Sequence, residues 1–437
     1  LPVMLQFAVP VMIGSLFQNL YNLADMSIAG YTLGDHALAA IAASHSIVYL
    51  INAVSMGFNT GNAILISQAF GAGNMRNARK SYAGVLELCI GMIIVMTTVL
   101  GLLISPLLHL VRTPSDLFSD AWDYIIIMIL GQCASMLYNM YAAVFRSLGN
   151  SRMPLIFLIC SSVLNVGLDL LFIVPLGMGV RGAALATIVA QAISAILSGI
   201  YFYVNYPEMR LRREDFKGNG VLIKEMFPMG ISAAFTNSLF AIGDMAVQGA
   251  VNALGSAAII GQAAAQKIRS FAIIPSIGMA NTSATFSAQN YGARKLDRIT
   301  KGIYTGILFN VGVNVVTTAA AFLFGGELIR LVTNTSDAEV IANGQLMLRI
   351  VVPFIFTQTI VMIYRMSIQG MKRKVIPIIG TAVELCTRFF CALVLAPVIG
   401  FLGICFAEPL SWVVSGAVMV IFYYANVLKQ EKQAVQL

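Results

Sequence analysis

A chain of 437 residues that is 58% hydrophobic and 11% charged, with a mean hydropathy of +0.83, is too apolar for a soluble protein, in which about 25% of residues carry charge. Apolar stretches of about 20 residues, each long enough to cross a hydrocarbon core as a helix, recur almost end to end. The expected fold class is therefore an all-α polytopic membrane protein, and a disordered chain, a disulfide scaffold and an outer-membrane barrel are excluded.

Splitting the sequence at its polar, glycine and proline clusters predicts about twelve transmembrane spans. In chain order they cover residues 2–28, 37–68, 82–106, 121–147, 154–174, 181–205, 221–250, 255–288, 300–324, 338–369, 376–397 and 402–427. The chain begins at Leu1 rather than Met, so a short upstream piece is expected, and no signal-peptide pattern opens it. The six cysteines, Cys89, Cys133, Cys160, Cys386, Cys391 and Cys405, lie in or beside apolar runs without a CxxC pair. They read as buried hydrophobes.

The formal charge of +8 is carried by alternate loops, which argues against a nucleic-acid surface. Counting Lys and Arg loop by loop, with Arg365 assigned to the loop after the tenth span, puts 20 on one side of the membrane and three on the other. By the positive-inside rule both termini and the loop 206–220 are expected in the cytoplasm of a cell whose plasma membrane holds the protein.

Segments about 221 residues apart match. Gln68-Ala-Phe-Gly-Ala72 answers Gln289-Asn-Tyr-Gly-Ala293, Asp25-Met26 answers Asp244-Met245, Gly149 and Pro154 answer Gly370 and Pro377, and Pro175, Gly179 and Gly182 answer Pro397, Gly400 and Gly403. Six spans per half, an even number, give the halves the same orientation, related by an axis along the membrane normal. The expected organisation is an N-lobe at 1–206, a cytoplasmic linker at 207–220, a C-lobe at 221–428 and a cytoplasmic tail at 429–437, with the lobes around a central cleft. Gly177-Met-Gly179-Val-Arg-Gly182 fits GxGxxG, but it follows a span rather than a strand and reads as a tight turn. Without a P-loop, HExxH or GxSxG motif, the chain reads as a secondary transporter and not an enzyme.

An ionisable group inside the membrane is expensive unless it faces a cavity or a partner. The first half holds Asp25 in span 1, Glu87 in span 3 and Asp169 in span 5, with Asn165 one turn before Asp169 and Thr187 in span 6. If spans 1, 5 and 6 adjoin, Asp25, Asn165, Asp169 and Thr187 converge. Two acids apposed in an apolar lobe can hold a proton between them, and the same oxygens could hold Na⁺. The second half has Asp244 at the position of Asp25 and Glu408 at that of Thr187, but adds Lys267, Arg269 and Arg388. Glu384 and Arg388 are spaced i, i+4, and the group reads either as a balanced ion network or as a second site. Gln18, Asn22 and Asn139 are candidates to line a substrate cleft, together with Asp244.

These residues resemble the multidrug and toxic compound extrusion (MATE) family. The likeness rests on Pro10 and Leu20-Tyr-Asn-Leu-Ala-Asp-Met-Ser-Ile-Ala-Gly30, Gln68-Ala-Phe-Gly-Ala-Gly73, Phe145-Arg-Ser-Leu-Gly-Asn-Ser-Arg-Met-Pro154, Asn165-Val-Gly-Leu-Asp169 and Gly179-Val-Arg-Gly-Ala-Ala-Leu-Ala-Thr187, in that order. The resemblance implies a two-lobe antiporter of the prokaryotic type that exports amphipathic, often cationic compounds in exchange for H⁺ or Na⁺. It implies that Asp25, Asn165, Asp169 and Thr187 form an N-lobe cation site with the carbonyl of Ala183, that span 1 bends at Pro10, and that Tyr21 lies beside the site. Some members use acids in spans 7 and 10; here span 7 has Asp244 but the interior of span 10 has none. A monomer in the lipid bilayer is expected, with no cofactor, no metal beyond Na⁺ and no nucleic-acid partner. A lipid-linked saccharide flippase of the same superfamily is the alternative, and a channel or membrane receptor a third reading.

Overall fold

The computed structural model describes residues 2–110 and 113–429, and leaves out the side chains of residues 26, 29, 34–38, 42, 43, 45, 46, 110, 241, 245, 246 and 426. Arg112 and the tail from residue 430 therefore lie outside the described residues. The first part of the chain forms α1 (Pro2–Gly71), α2 (Met75–Leu110), α3 (Phe118–Leu130), α4 (Gln132–Ser147), α5 (Arg152–Ile173) and α6 (Gly179–Asn205). After two 3₁₀ turns, Pro207–Met209 and Arg213–Phe216, come α7 (Gly220–Asn252), α8 (Ser256–Ala272), α9 (Ile274–Gly292) and α10 (Leu296–Thr333). The chain closes with α11 (Ala338–Val351), α12 (Ile355–Gly370), α13 (Val375–Phe390), α14 (Ala396–Ile399), α15 (Phe401–Cys405) and α16 (Ala407–Phe422).

In a membrane every backbone polar group must be paired internally, and long apolar runs achieve this as helices. Prolines mark where several of them begin. Pro154, Pro275, Pro377 and Pro409 stand in the first turns of α5, α9, α13 and α16, where a missing N–H leaves no bond unmade. Gly177 and Gly179 both have φ of +59° in the turn between α5 and α6. That conformation is open to glycine, so the GxGxxG match is a turn.

Among the described residues nine helices are long and apolar enough to cross a membrane, or ten when the bent pair α3 and α4 counts as one span. The pair bends by 46° at Gly131, where Ile188 of α6 stands in the space a Cβ would occupy. The two predicted spans outside this set, 37–68 and 255–288, are the second of each half. Both are rich in buried polar side chains, such as Ser55, Asn59, Asn62 and Gln68 in one and Gln262, Ser276, Thr282, Ser283 and Ser287 in the other. Such helices associate through interhelical hydrogen bonds, as where Gln132 Nε2 donates to Ser55 Oγ at 2.6 Å.

Three expectations change. Spans 1 and 2 are one uninterrupted helix, α1. The span at 255–288 is instead two helices that meet at Ile273. Arg365, assigned to a loop by its sequence position, is buried within α12.

The chain divides into two compact units, residues 13–234 and residues 1–12 with 235–437. The expected boundary lay in the linker, but the opening turns of α1 and the first half of α7 each join the other unit, because that is where their side chains are buried. Met4 and Ala8 enter a core with Met279, Ile299, Ile303, Ile363 and Tyr364. In the 13–234 unit, the Phe227 ring of α7 meets Phe58 of α1 edge-on with centroids 6.2 Å apart. The same unit has an aromatic core in which Phe145 packs on Phe157, Tyr201, Phe202 and Tyr206.

Candidate functional site

Within the 13–234 unit, α5 and α6 form an antiparallel pair, with α1 alongside: a Cβ on Gly14 would stand 3.7 Å from Leu158 of α5. This packing brings Asp25, Asn165, Asp169 and Thr187 together. Asn165 and Asp169 are each only 1% exposed, one turn apart on the same face of α5. In the amide orientation that satisfies both its ends, Asn165 donates to Asp169 Oδ2 at 2.9 Å and accepts from the Thr187 backbone N–H at 3.1 Å. The Thr187 hydroxyl donates to the Ala183 carbonyl at 3.2 Å. Tyr21 of α1 stands next to Thr187, and Asp25, one turn further on and half-buried, stands next to Asp169.

Asp169 Oδ1 is buried and has no hydrogen-bond donor among the described residues. Two ionised carboxylates offer acceptors only, so the contact between Asp25 and Asp169 is favourable when a proton or a cation lies between them. The Thr187 hydroxyl and the Ala183 carbonyl add oxygens of the hard type that suits H⁺ or Na⁺, while Asn165 in this orientation turns its NH₂ to Asp169. Tyr124 of α3, which no motif singled out, lies close enough to interact electrostatically with both acids. As one of 15 tyrosines in an apolar chain, it carries no signal in the sequence.

The other candidates are placed differently. Pro10 is half-buried inside the continuous α1, in the segment that belongs to the second unit. Gln18 and Asn22 are exposed and bond each other at 3.2 Å, and Asn139 donates to its own helix at the Ser135 carbonyl at 2.9 Å. All three thus use their polar groups along their own helices. Glu87 is half-buried on α2.

In the second unit the acids have basic partners. Arg388 donates to Asp244 Oδ1 at 2.6 Å and to Glu384 Oε1 at 3.0 Å, and Arg365 donates to Glu384 Oε2 at 2.8 Å. Arg269 pairs with Glu408 at 3.0 Å, while Lys267 is exposed and joins none of these pairs. The sequence missed Arg365, and it missed Phe240, whose ring lies 4.6 Å from the Arg365 guanidinium and 6.0 Å from that of Arg388. Positions equivalent by repeat have therefore diverged: Asp25 faces another acid, and Asp244 faces an arginine.

Comparison with known proteins agrees with this frame. The chain is 24% identical over 446 residues, covering 99% of it and 93% of the relative, to "Probable multidrug resistance protein NorM" of Thermotoga maritima. It is 25% identical to "Probable multidrug resistance protein YoeA" of Bacillus subtilis, over 78% of this chain and 75% of that one. Its fold matches a solved outward-facing conformation of a multidrug resistance MATE family transporter with a TM-score of 0.91 at 21% identity, covering 98% of this chain and 96% of that one. A solved MATE protein in the bent conformation matches with a TM-score of 0.92 at 20% identity, over 99% and 96% of the two chains. The MatE family model matches twice, at residues 10–171 and 232–397, once in each half of the duplication. The chain is a multi-pass membrane protein of the MatE family, the multidrug and toxic compound extrusion transporters.

Proposed function

We propose that this protein is a secondary antiporter that exports amphipathic, often cationic compounds in exchange for H⁺ or Na⁺, coupled at Asp25, Asn165, Asp169 and Thr187 with the Ala183 carbonyl. The observation that carries this reading is the buried, donorless Asp169 Oδ1 with the Asp25 carboxyl beside it. A proton or ion bound there bridges α1 to α5, and its release leaves two like charges apposed, so occupancy changes the preferred position of α1. Pro10, which deprives α1 of one backbone hydrogen bond, is the proposed point of bending. Coupling then needs only that ion and exported compound prefer different states of the carrier. The protein acts as a monomer in the plasma membrane with both termini in the cytoplasm. The names of the multidrug resistance relatives support drug export in general.

The test is efflux of a fluorescent lipophilic cation from proteoliposomes under a pH gradient and, separately, a Na⁺ gradient. One gradient should drive export, and Asp25→Asn and Asp169→Asn should each reduce it by at least about tenfold, the effect of losing about 1.4 kcal/mol of coupling. Undiminished gradient-driven export in both variants would overturn the assignment.

A further inference from the structure

Asp244 and Arg388 form a tight pair, yet their exposures are opposite: the Asp244 side chain is 60% exposed and that of Arg388 only 5%. Asp244 therefore covers a guanidinium that is otherwise buried. Arg388 is fixed from behind, since Glu384 holds its Nη2 and Arg365 holds Glu384 in turn. The Phe240 ring, within cation–π range of both guanidiniums, limits their movement further. Arg388 thus keeps its orientation when Asp244 turns away.

The charge and donor balance of the group points to an anion. Without Asp244, the three guanidiniums of Arg269, Arg365 and Arg388 share two carboxylates, Glu384 and Glu408, which leaves one positive charge unmatched within the group. Among the described residues, the buried Nε groups of Arg269, Arg365 and Arg388 have no acceptor, whereas the carboxylates of the group leave one buried oxygen unpaired, Glu408 Oε2. Gln248 and Asn252 continue an exposed polar face of α7 at i+4 and i+8 from Asp244, bonded to each other at 2.9 Å. A polar approach to the pair therefore runs along one helix face. A preoriented, desolvated guanidinium whose outer partner can swing away is a receptor for a carboxylate.

We propose that Arg388 is a binding site for the carboxylate of an amphiphilic ligand, and that Asp244 occupies this site as an internal stand-in which the ligand displaces. The displaced Asp244 is then free to meet a cationic group on the same molecule, so the site suits zwitterionic as well as anionic amphiphiles. That such a ligand is cargo rests on the export reading; that it binds does not.

The test uses naphthoate and its neutral isostere naphthamide as probes, titrated calorimetrically into the full chain in lipid nanodiscs. Naphthoate should bind about tenfold more tightly than naphthamide, the margin expected of a charge-assisted hydrogen bond. Asp244→Asn should tighten naphthoate severalfold while leaving naphthamide unchanged, because it weakens the internal competitor. Arg388→Gln should erase the preference; should that variant fail to fold, Asp244→Asn decides alone. Equal affinity for the two probes, or an Asp244→Asn variant that binds naphthoate no better than the original chain, overturns the proposal. Failure of gradient-driven export alongside intact carboxylate preference would overturn the export reading alone.

Discussion

At the scale of single residues, the same buried carboxylate chemistry takes two forms. Asp169 is enclosed with an acid and an amide. Asp215, in the 3₁₀ turn of the linker, is equally buried and also has an Oδ1 without a donor among the described residues, but it is paired with a cation: its Oδ2 accepts from Arg79 Nε at 2.7 Å and from the Arg212 backbone N–H at 2.8 Å. Burial alone would raise its pKa, but the Arg79 bond, the Arg212 bond and the two positive charges outweigh it and hold the pKa below the ordinary 3.8. A depressed carboxylate contributes stability that is present above the unfolded value and lost as pH falls through the folded one. Arg79→Gln, which leaves that charge buried without its partner, should destabilise the protein by about 3–5 kcal/mol near neutral pH. Melting temperature in detergent measures the loss, and its difference from the original chain should narrow as pH falls below 3.8. A difference that persists undiminished in acid would remove Asp215 from the explanation. Asp25 and Asp169 were legible as a candidate site because acids are rare in apolar runs, while Arg365 was not. It stands near the end of such a run, where a loop and a buried helix position look alike, and its partner Glu384 lies on a different helix.

At the scale of elements, glycine sets where helices can cross. A Cβ on Gly61 would meet the Met229 carbonyl at 2.5 Å and one on Gly57 would meet Ala233 and Ala234 at 2.8 Å, so α1 and the first half of α7 touch backbone to backbone. Small residues permit this close approach, which is how membrane helices gain packing without a hydrophobic driving force. In the other unit a Cβ on Gly278 of α9 would meet the side chain of Met12 of α1, with the Met12 backbone N 3.3 Å away. Residues 57 and 278, and residues 12 and 233, are each separated by 221 positions, so the two crossings are copies of one contact. Gly61→Leu should force the helices apart and lower stability by about 1–3 kcal/mol, read as a reduced melting temperature in detergent. Gly91→Leu on α2, where a Cβ meets nothing within 4 Å, is the control expected to leave it unchanged. Equal effects at the two sites would refute the crossing. The crossing could not be read in advance: Gly57 and Gly61 are visible in the sequence, but the surface they oppose is not.

At the scale of the whole molecule, the duplication organises what the chain can do. A shared ancestral half explains why the family model matches twice and why Asp25 and Asp244 occupy equivalent places. The bias of Lys and Arg toward one set of loops predicts that both termini face the cytoplasm, and moving Arg365 into a helix leaves that bias intact. Fusing a fluorescent protein to the C-terminus should give fluorescent cells, and fusing a periplasm-dependent phosphatase should give inactive enzyme. The reverse pattern would invert the orientation.

By itself the sequence determined that this is a helical membrane protein, that it is a tandem duplication and that a few acids lie inside the membrane. Composition, hydropathy period and repeat spacing are properties of a chain read along its length, and partition into lipid depends on little else. Only the tertiary structure decided which acid meets which partner and which helix ends belong to which unit. It also decided that the two halves use equivalent carboxylates differently, one against an acid and one against arginine. Those outcomes depend on contacts between residues far apart in the chain, where a hydrogen bond forms within about 3 Å or not at all.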